Sequence, residues 1–85
     1  MALVERLQAA EPQFSRIGAG ILAALALGFA DDSRSFARQF GIAHALILRE
    51  LAGLSCHDAW LTILRRDPRT QRTWYQAGEA LRRFT

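Results

Sequence analysis

The chain has 85 residues, of which 51% are hydrophobic and 22% are charged, and its formal net charge is +3. This length predicts one small domain, and this composition excludes a disordered segment. The lone cysteine, Cys56, excludes a small scaffold held by internal disulfides and favours a reducing, cytoplasmic setting. The longest uncharged run, residues 17–30, is shorter than the roughly 20 residues of a membrane helix, so we expect no membrane partner.

Positive charge is concentrated in one part of the sequence. Residues 1–64 carry five arginines and six acidic residues, whereas residues 65–85 carry six arginines and two acidic residues. This imbalance predicts an anionic partner such as nucleic acid. The alternative is a solvated surface on a helix and a loop.

Two helices are predicted first in chain order. The N-terminal helix spans residues 1–11, and Pro12 disfavours its continuation. The second helix runs from about residue 14 to residue 27, and Gly28 is suited to end it. The apolar positions at helical spacing are Leu3, Val4 and Leu7 in the first helix, and Ile17, Ile21 and Leu25 in the second.

A short helix, a glycine and a longer helix follow. The short helix is predicted over residues 34–40, and its N-cap candidates are Asp31, Asp32 and Ser33. Gly41 interrupts the pattern, and glycine adopts positive φ in a tight turn without strain. The longer helix is predicted over residues 43–54, with an inward face of Ile47, Leu51 and Leu54.

A β-hairpin is predicted over residues 60–76. Residues 60–66 and 71–76 are rich in β-branched and aromatic residues, and Pro68 lies in the turn between them. A final amphipathic helix is predicted over residues 78–85. The first and last helices look too apolar for solvent, so we expect a homodimer interface that includes Leu3, Val4, Leu7, Leu81 and Phe84.

This order of elements resembles a winged helix-turn-helix domain over about residues 14–80. Ala37 and Gly41, four residues apart, with Ile42 and Ile47 after them, resemble a helix-turn-helix signature. Residues 65–75 look like the wing of bacterial MarR-like and ArsR-like transcriptional regulators, with arginines around an Asp-x-Arg turn. The resemblance implies an α+β, mostly helical fold with a small C-terminal hairpin wing, in a single domain covering residues 1–85.

The resemblance further implies a DNA-binding transcriptional regulator. The helix over residues 43–54 would enter the major groove of double-stranded DNA, and the wing would lie on the backbone or minor groove. Arg49 would pair with guanine, and the wing arginines would pair with phosphate. The residues implied to contact DNA are Arg34, Gln39, Ala43, His44, Ala45, Arg49, Arg65, Arg66, Arg69, Thr70 and Arg72.

The predicted recognition helix departs from the family pattern, because its outward face carries mostly alanine and leucine. One alternative is therefore a winged-helix module that binds a protein partner through Leu46 and Leu48. A second alternative is a plain helical bundle in which the arginine-rich hairpin is only a loop.

Enzymatic chemistry is not indicated by the sequence. We expect no catalytic residue, cofactor or metal site, since no paired carboxylates, nucleophile motif or phosphate-binding glycine loop is found. The triplet of Cys56, His57 and Asp58 is interpreted as part of a loop, because zinc needs four suitably spaced ligands. A redox role for Cys56 stays open.

Overall fold

The computed structural model describes residues 2–55 and 59–85, which form a small α+β domain. Five helices and one antiparallel hairpin lie within these residues. Their bounds are α1 (Ala2–Ala10), α2 (Arg16–Ala26), α3 (Ser33–Phe40), α4 (His44–Ser55), β1 (Leu61–Arg66), β2 (Thr73–Ala77) and α5 (Glu79–Phe84). The predicted elements are confirmed within a few residues at each end, and the 56–58 triplet lies outside the described residues.

Short polar contacts determine where two of the helices begin. Ser15 Oγ accepts a hydrogen bond from the Gly18 amide at 2.9 Å, so α2 begins at Arg16 rather than at residue 14. Asp32 is the N-cap of α3, and its Oδ2 accepts from the amides of Arg34 and Ser35 at 3.1 and 3.0 Å.

The turn between α3 and α4 depends on one glycine. Gly41 has φ +65°, and its amide donates to the Ala37 carbonyl. This left-handed conformation ends α3 and allows α4 to begin three residues later, one residue after its predicted start. Side chains of Ile47, Leu51 and Leu54 on α4 are buried, also as predicted.

The first and last helices contribute to the core of the chain itself. Val4, Leu7 and Leu81 are buried, and Leu3 and Phe84 pack against the same core. Leu3 and Phe84 remain partly exposed beside this core. Apolar flanking helices of a small domain also close its own core, so their apolar spacing does not by itself indicate a subunit interface, and the homodimer stays a prediction.

β1 and β2 pair as an antiparallel hairpin. This excludes the alternative in which the chain is a plain helical bundle and the arginine-rich segment is only a loop. Its register pairs Ile63 with Tyr75 and Arg65 with Trp74, so Leu64 is the extra residue of a β-bulge. The hairpin is also tied to the segment before α3. Asp32 and Trp74 form an isolated antiparallel β-bridge, and the Tyr75 amide donates to the Asp31 carbonyl at 3.1 Å.

A membrane-spanning helix is not found in the part of the chain that the structure describes. Within the same residues, no group of three or more histidine, cysteine, aspartate or glutamate side chains is arranged to hold a metal ion.

Candidate nucleic-acid interface

The connection at the tip of the hairpin is held in one shape by local hydrogen bonds. Asp67 Oδ1 accepts from the Arg69 amide at 2.8 Å, and the Asp67 carbonyl accepts from the Gln71 amide at 2.7 Å. Gln71 has φ +64°, and the Asp67 amide closes the loop by donating to the Arg72 carbonyl at 2.8 Å. Arg69 and Thr70 are therefore presented to solvent on an ordered loop.

Two arginines lie against the ring of Trp74 on the hairpin. The guanidinium carbon of Arg65 is 4.3 Å from the ring centroid, and that of Arg72 is 5.1 Å from it. The β-bulge at Leu64 produces the first contact, since it sets Arg65 opposite Trp74 in the register. The exposed Arg66 is held by a hydrogen bond instead, because its Nε donates to Thr73 Oγ1 at 3.2 Å. The ring and these hydrogen bonds limit the freedom of the arginine side chains.

Arg72 also anchors the hairpin to α3. Its Nε and Nη2 donate to the two carboxylate oxygens of Asp32 at 2.8 and 3.2 Å, while the Asp32 side chain is only 4% exposed. Burial raises the pKa of Asp32, but hydrogen bonds from Arg72 and Ser35 outweigh burial and lower that pKa to about 2. Asp32 is therefore a buried carboxylate at neutral pH, and much of the charge of Arg72 is already neutralised.

A second polar contact joins the hairpin to both helices. Ser33 Oγ accepts from the Thr73 amide at 2.9 Å and lies 2.7 Å from His44 Nε2. Burial lowers the pKa of His44, and the nearby Arg34 guanidinium lowers it further. When His44 is neutral with its hydrogen on Nδ1, its Nε2 accepts the Ser33 hydroxyl hydrogen. The structure thus gives His44 a packing role that its predicted outward position did not anticipate.

A shallow depression of about 230 Å³ continues the basic surface from α3 to the start of α4. Arg34, Arg38 and His44 contribute to its lining. Since Arg34 follows directly after the capped start of α3, this depression adjoins the Asp32–Arg72 pair. The basic surface therefore extends from the hairpin across the N-terminus of α3 to α4.

The predicted DNA contacts divide into exposed and partly buried residues. Arg72 and His44 are half-buried and engaged as described above. The exposed members are Arg34, Gln39, Ala43, Ala45, Arg49, Arg65, Arg66, Arg69 and Thr70. Leu46 is 45% exposed on the same helix as Arg49, whereas Leu48 is half-buried.

Few of the arginines are neutralised by acidic side chains. Among residues 2–55 and 59–85, the ion pairs within 4.0 Å join Arg72 to Asp32 and Arg83 to Glu79. The exposed arginines of the hairpin and of α3 therefore have no carboxylate partner in the described part of the chain. Their positive charge is available to an anion.

Sequence reasoning did not assign roles to Trp74, Ser33 and Thr73 in this surface. Trp74 was expected only as part of the second β-rich segment, and no sequence signal shows that a bulge sets Arg65 opposite it. Ser33 was named only as an N-cap candidate. Its contacts to Thr73 and His44 join residues 40 and 11 positions away along the chain. A local sequence pattern cannot predict contacts at such separations.

No family model, curated protein or solved structure matches this chain.

Proposed function

We propose that this chain is a winged helix-turn-helix domain that binds double-stranded DNA, as a transcriptional regulator does. The observation that carries the proposal is the anchored hairpin: its exposed arginines, Arg65, Arg66 and Arg69, have no acidic partner among the described residues, and Arg65 lies over the ring of Trp74. Phosphate contacts supply most non-specific affinity for DNA, and arginine pairs with phosphate through two parallel donors.

The position of the hairpin relative to the helix pair supports this function. Asp32 caps α3 and holds Arg72, so the hairpin and the first helix of the pair meet at one carboxylate. Ser33 connects the same strand to the start of α4. A domain that binds DNA through both a helix and a wing needs these parts fixed relative to each other. Ordering mobile parts on binding would lower the affinity for DNA.

The composition of α4 favours binding with modest sequence preference. Arg49 is the exposed charged side chain on this helix, and its neighbours Ala45 and Leu46 offer no hydrogen-bond donor beyond the backbone. Arg49 would read guanine, and the alanines would contact thymine methyl groups. Most of the remaining affinity would then come from contacts to the backbone, which position the protein without specifying sequence.

A protein-docking role for α4 is the second candidate. It is favoured by Leu46, which is 45% exposed in the first turn of α4. Leu48 adds less apolar surface to this helix than Leu46 does, because its side chain is half-buried. The pair expected to form an apolar docking face is therefore only partly exposed.

The salt dependence of binding to duplex DNA tests the proposal. The wild-type chain is titrated against a duplex of mixed sequence at several salt concentrations, and log K is expected to fall steeply with log[salt]. Arg69→Ala, at the tip of the hairpin, should reduce the slope by about one. Binding that is absent at low salt, or that does not change with salt, contradicts the proposal.

Arg82→Ala is the matched control for this experiment. Arg82 is exposed on α5, which starts at the base of the hairpin, where the Gly78 amide donates to the Trp60 carbonyl at 3.0 Å. The variant removes the same charge away from the tip. It should leave the salt slope unchanged, and equal effects of the two variants would mean that only net charge matters.

A further inference from the structure

Three basic side chains meet at the depression of about 230 Å³ between α3 and the start of α4. Arg34 and Arg38 lie about one helical turn apart on α3, and His44 is the first residue of α4. Ala37 and Ile42 complete the described lining, which contains no acidic side chain. Neither arginine has a carboxylate within 4.0 Å in the described part of the chain. The depression therefore combines positive charge with space for an anion.

The imidazole of His44 is held on one side by a buried hydroxyl. Its Nε2 lies 2.7 Å from Ser33 Oγ, and Ser33 is fully buried. The same Oγ already accepts a hydrogen bond from the Thr73 amide at 2.9 Å. Since an amide only donates, the hydroxyl of Ser33 uses its own hydrogen to donate to His44 Nε2. The neutral ring therefore carries its hydrogen on Nδ1, which has no hydrogen-bond partner among the described residues.

We propose that this depression binds one phosphate group of the DNA backbone, and that His44 takes up a proton from solvent when it does so. The imidazolium that forms carries hydrogens on both ring nitrogens and adds a third positive charge to those of Arg34 and Arg38. Acidification therefore strengthens the binding of DNA. This contact rests on the DNA-binding function proposed above, to which it adds regulation by pH.

Charged groups on α3 and β2 determine the protonation state of His44 before DNA binds. Arg34 and Arg38 line the same depression from α3, while Asp32 is paired with Arg72 of β2. Burial lowers the pKa of His44 below its usual range, Arg34 lowers it further, and Asp32 raises it by a smaller effect. The chain without DNA therefore keeps His44 mostly neutral at pH 7.

A phosphate in the depression reverses this preference. The added proton binds Nε2, so Ser33 Oγ becomes its acceptor and the buried hydroxyl hydrogen loses the acceptor it had. A negative charge beside the ring offsets this cost, because it favours the imidazolium over the neutral imidazole. On α4 itself the first charged residue after His44 is Arg49, more than one helical turn away. Proton uptake by His44 is therefore coupled to the presence of an anion in the depression.

The position of the depression favours the backbone of a polyanion over a free anion. Arg34 follows Asp32 by two residues, and Asp32 binds Arg72 of the hairpin. The exposed arginines that continue the positive surface on the hairpin are Arg65, Arg66 and Arg69. A DNA backbone presents phosphates to the depression and to the hairpin together, whereas a free anion occupies the depression alone.

Proton NMR of the His44 ring, followed from about pH 5 to pH 8, tests the proposal. The sequence has one other histidine, His57, which lies outside the described residues. His57→Gln assigns the two ring signals and is the matched control. A short DNA duplex should raise the pKa of His44 by about one pH unit, as expected beside an opposite charge. Sulfate at the same ionic strength should raise that pKa much less. An equal rise with sulfate overturns the assignment to a DNA phosphate, and no rise with DNA overturns the proton uptake.

The affinity for the same duplex gives a second readout. Because one proton is taken up, binding should tighten about tenfold between pH 8 and pH 5 at constant salt. His44→Gln keeps an amide oxygen that can accept from Ser33 but takes up no proton in this range, so its affinity should not change with pH. The His57→Gln control should keep the tenfold change. Circular dichroism checks that each variant is folded, and a pH dependence that survives in folded His44→Gln contradicts the proposal.

Failure of the pH dependence can be distinguished from failure of the proposed function. A chain that binds the duplex with the same affinity and the same steep salt dependence at pH 5 and pH 8 supports DNA binding and overturns the proton uptake. A chain that binds no duplex at low salt, at any pH, overturns both.

Discussion

Replacing Asp32 by asparagine separates two roles of one side chain. Asparagine caps a helix about as well as aspartate, so Asp32→Asn should keep the hydrogen bonds to the amides at the start of α3. It removes the negative charge that faces the guanidinium of Arg72. The cost of this substitution therefore reports the ionic contact between α3 and the hairpin rather than the helix cap.

The pKa of Asp32 gives the size of the effect. In the unfolded chain this carboxyl has a pKa near 3.8, and in the folded chain the pKa is about 2. Since one pH unit is worth about 1.4 kcal/mol, ionised Asp32 contributes on the order of 2 kcal/mol of stability at neutral pH. This value lies below the 3–5 kcal/mol (roughly) lost when a fully buried ion pair is broken, as expected for a partner that is partly in water.

The pH dependence has a definite sign. Between pH 3.8 and about pH 2 the unfolded chain binds the proton more readily than the folded chain. The stability from Asp32 is therefore complete above this window and is lost as the pH falls through it. Other carboxyl groups titrate in the same range, so the informative quantity is the difference between wild type and Asp32→Asn.

Urea unfolding followed by tryptophan fluorescence measures this difference. At pH 7, Asp32→Asn should lower the free energy of unfolding by about 2 kcal/mol, and at pH 2 most of the difference should disappear. Asp32→Ala should lose about 1 kcal/mol more at both pH values, because it also removes the cap. A difference that is the same at pH 7 and pH 2 would refute the assignment of the low pKa to an ionic contact.

Three further substitutions test the backbone and the buried hydroxyl. Gly41→Ala should lower the free energy of unfolding by about 1 kcal/mol through its positive φ alone, because no atom lies within 4 Å of an added Cβ. Gly53→Ala, equally open but inside α4, should instead stabilise the chain by a similar amount, and equal signs in urea unfolding would contradict this reasoning. Tyr75→Phe should leave the melting temperature unchanged or raise it, because the buried Tyr75 hydroxyl has no hydrogen-bond partner within the described residues. A clear fall in that temperature would show that the hydroxyl is satisfied in solution.

The order of the elements could be predicted because each has a local cause. Apolar spacing identifies α2 and α4, and an aspartate followed by serine identifies the start of α3. Gly41 marks the turn because few other residues adopt its backbone conformation without strain. The hairpin follows from two β-rich segments around Pro68. These signals act over a few residues, which is the range that a sequence pattern can report.

The roles of individual side chains at the interface could not be predicted, because they depend on contacts across the fold. Arg72 and Asp32 are 40 residues apart, and nothing near either one shows that they meet. The register of the hairpin was equally hidden, since a single extra residue at Leu64 decides which side chain faces Trp74. The flanking apolar helices were assigned to a subunit contact for the same reason, because burial within the chain and burial between chains give the same sequence pattern.

Arginines of the hairpin therefore differ in what their removal would reveal. Removing Arg72 leaves the buried carboxylate of Asp32 without its ionic partner, so it disturbs the contact between hairpin and α3 as well as the surface charge. Arg69 has no such partner within residues 2–55 and 59–85, and its loop is held by Asp67 and by main-chain hydrogen bonds that do not involve its guanidinium. A loss of DNA affinity in Arg69→Ala would be a loss of charge alone, whereas the same loss in Arg72→Ala would combine charge with the position of the wing. The two variants together can distinguish a hairpin that attracts DNA from one that must also be held in place to bind it.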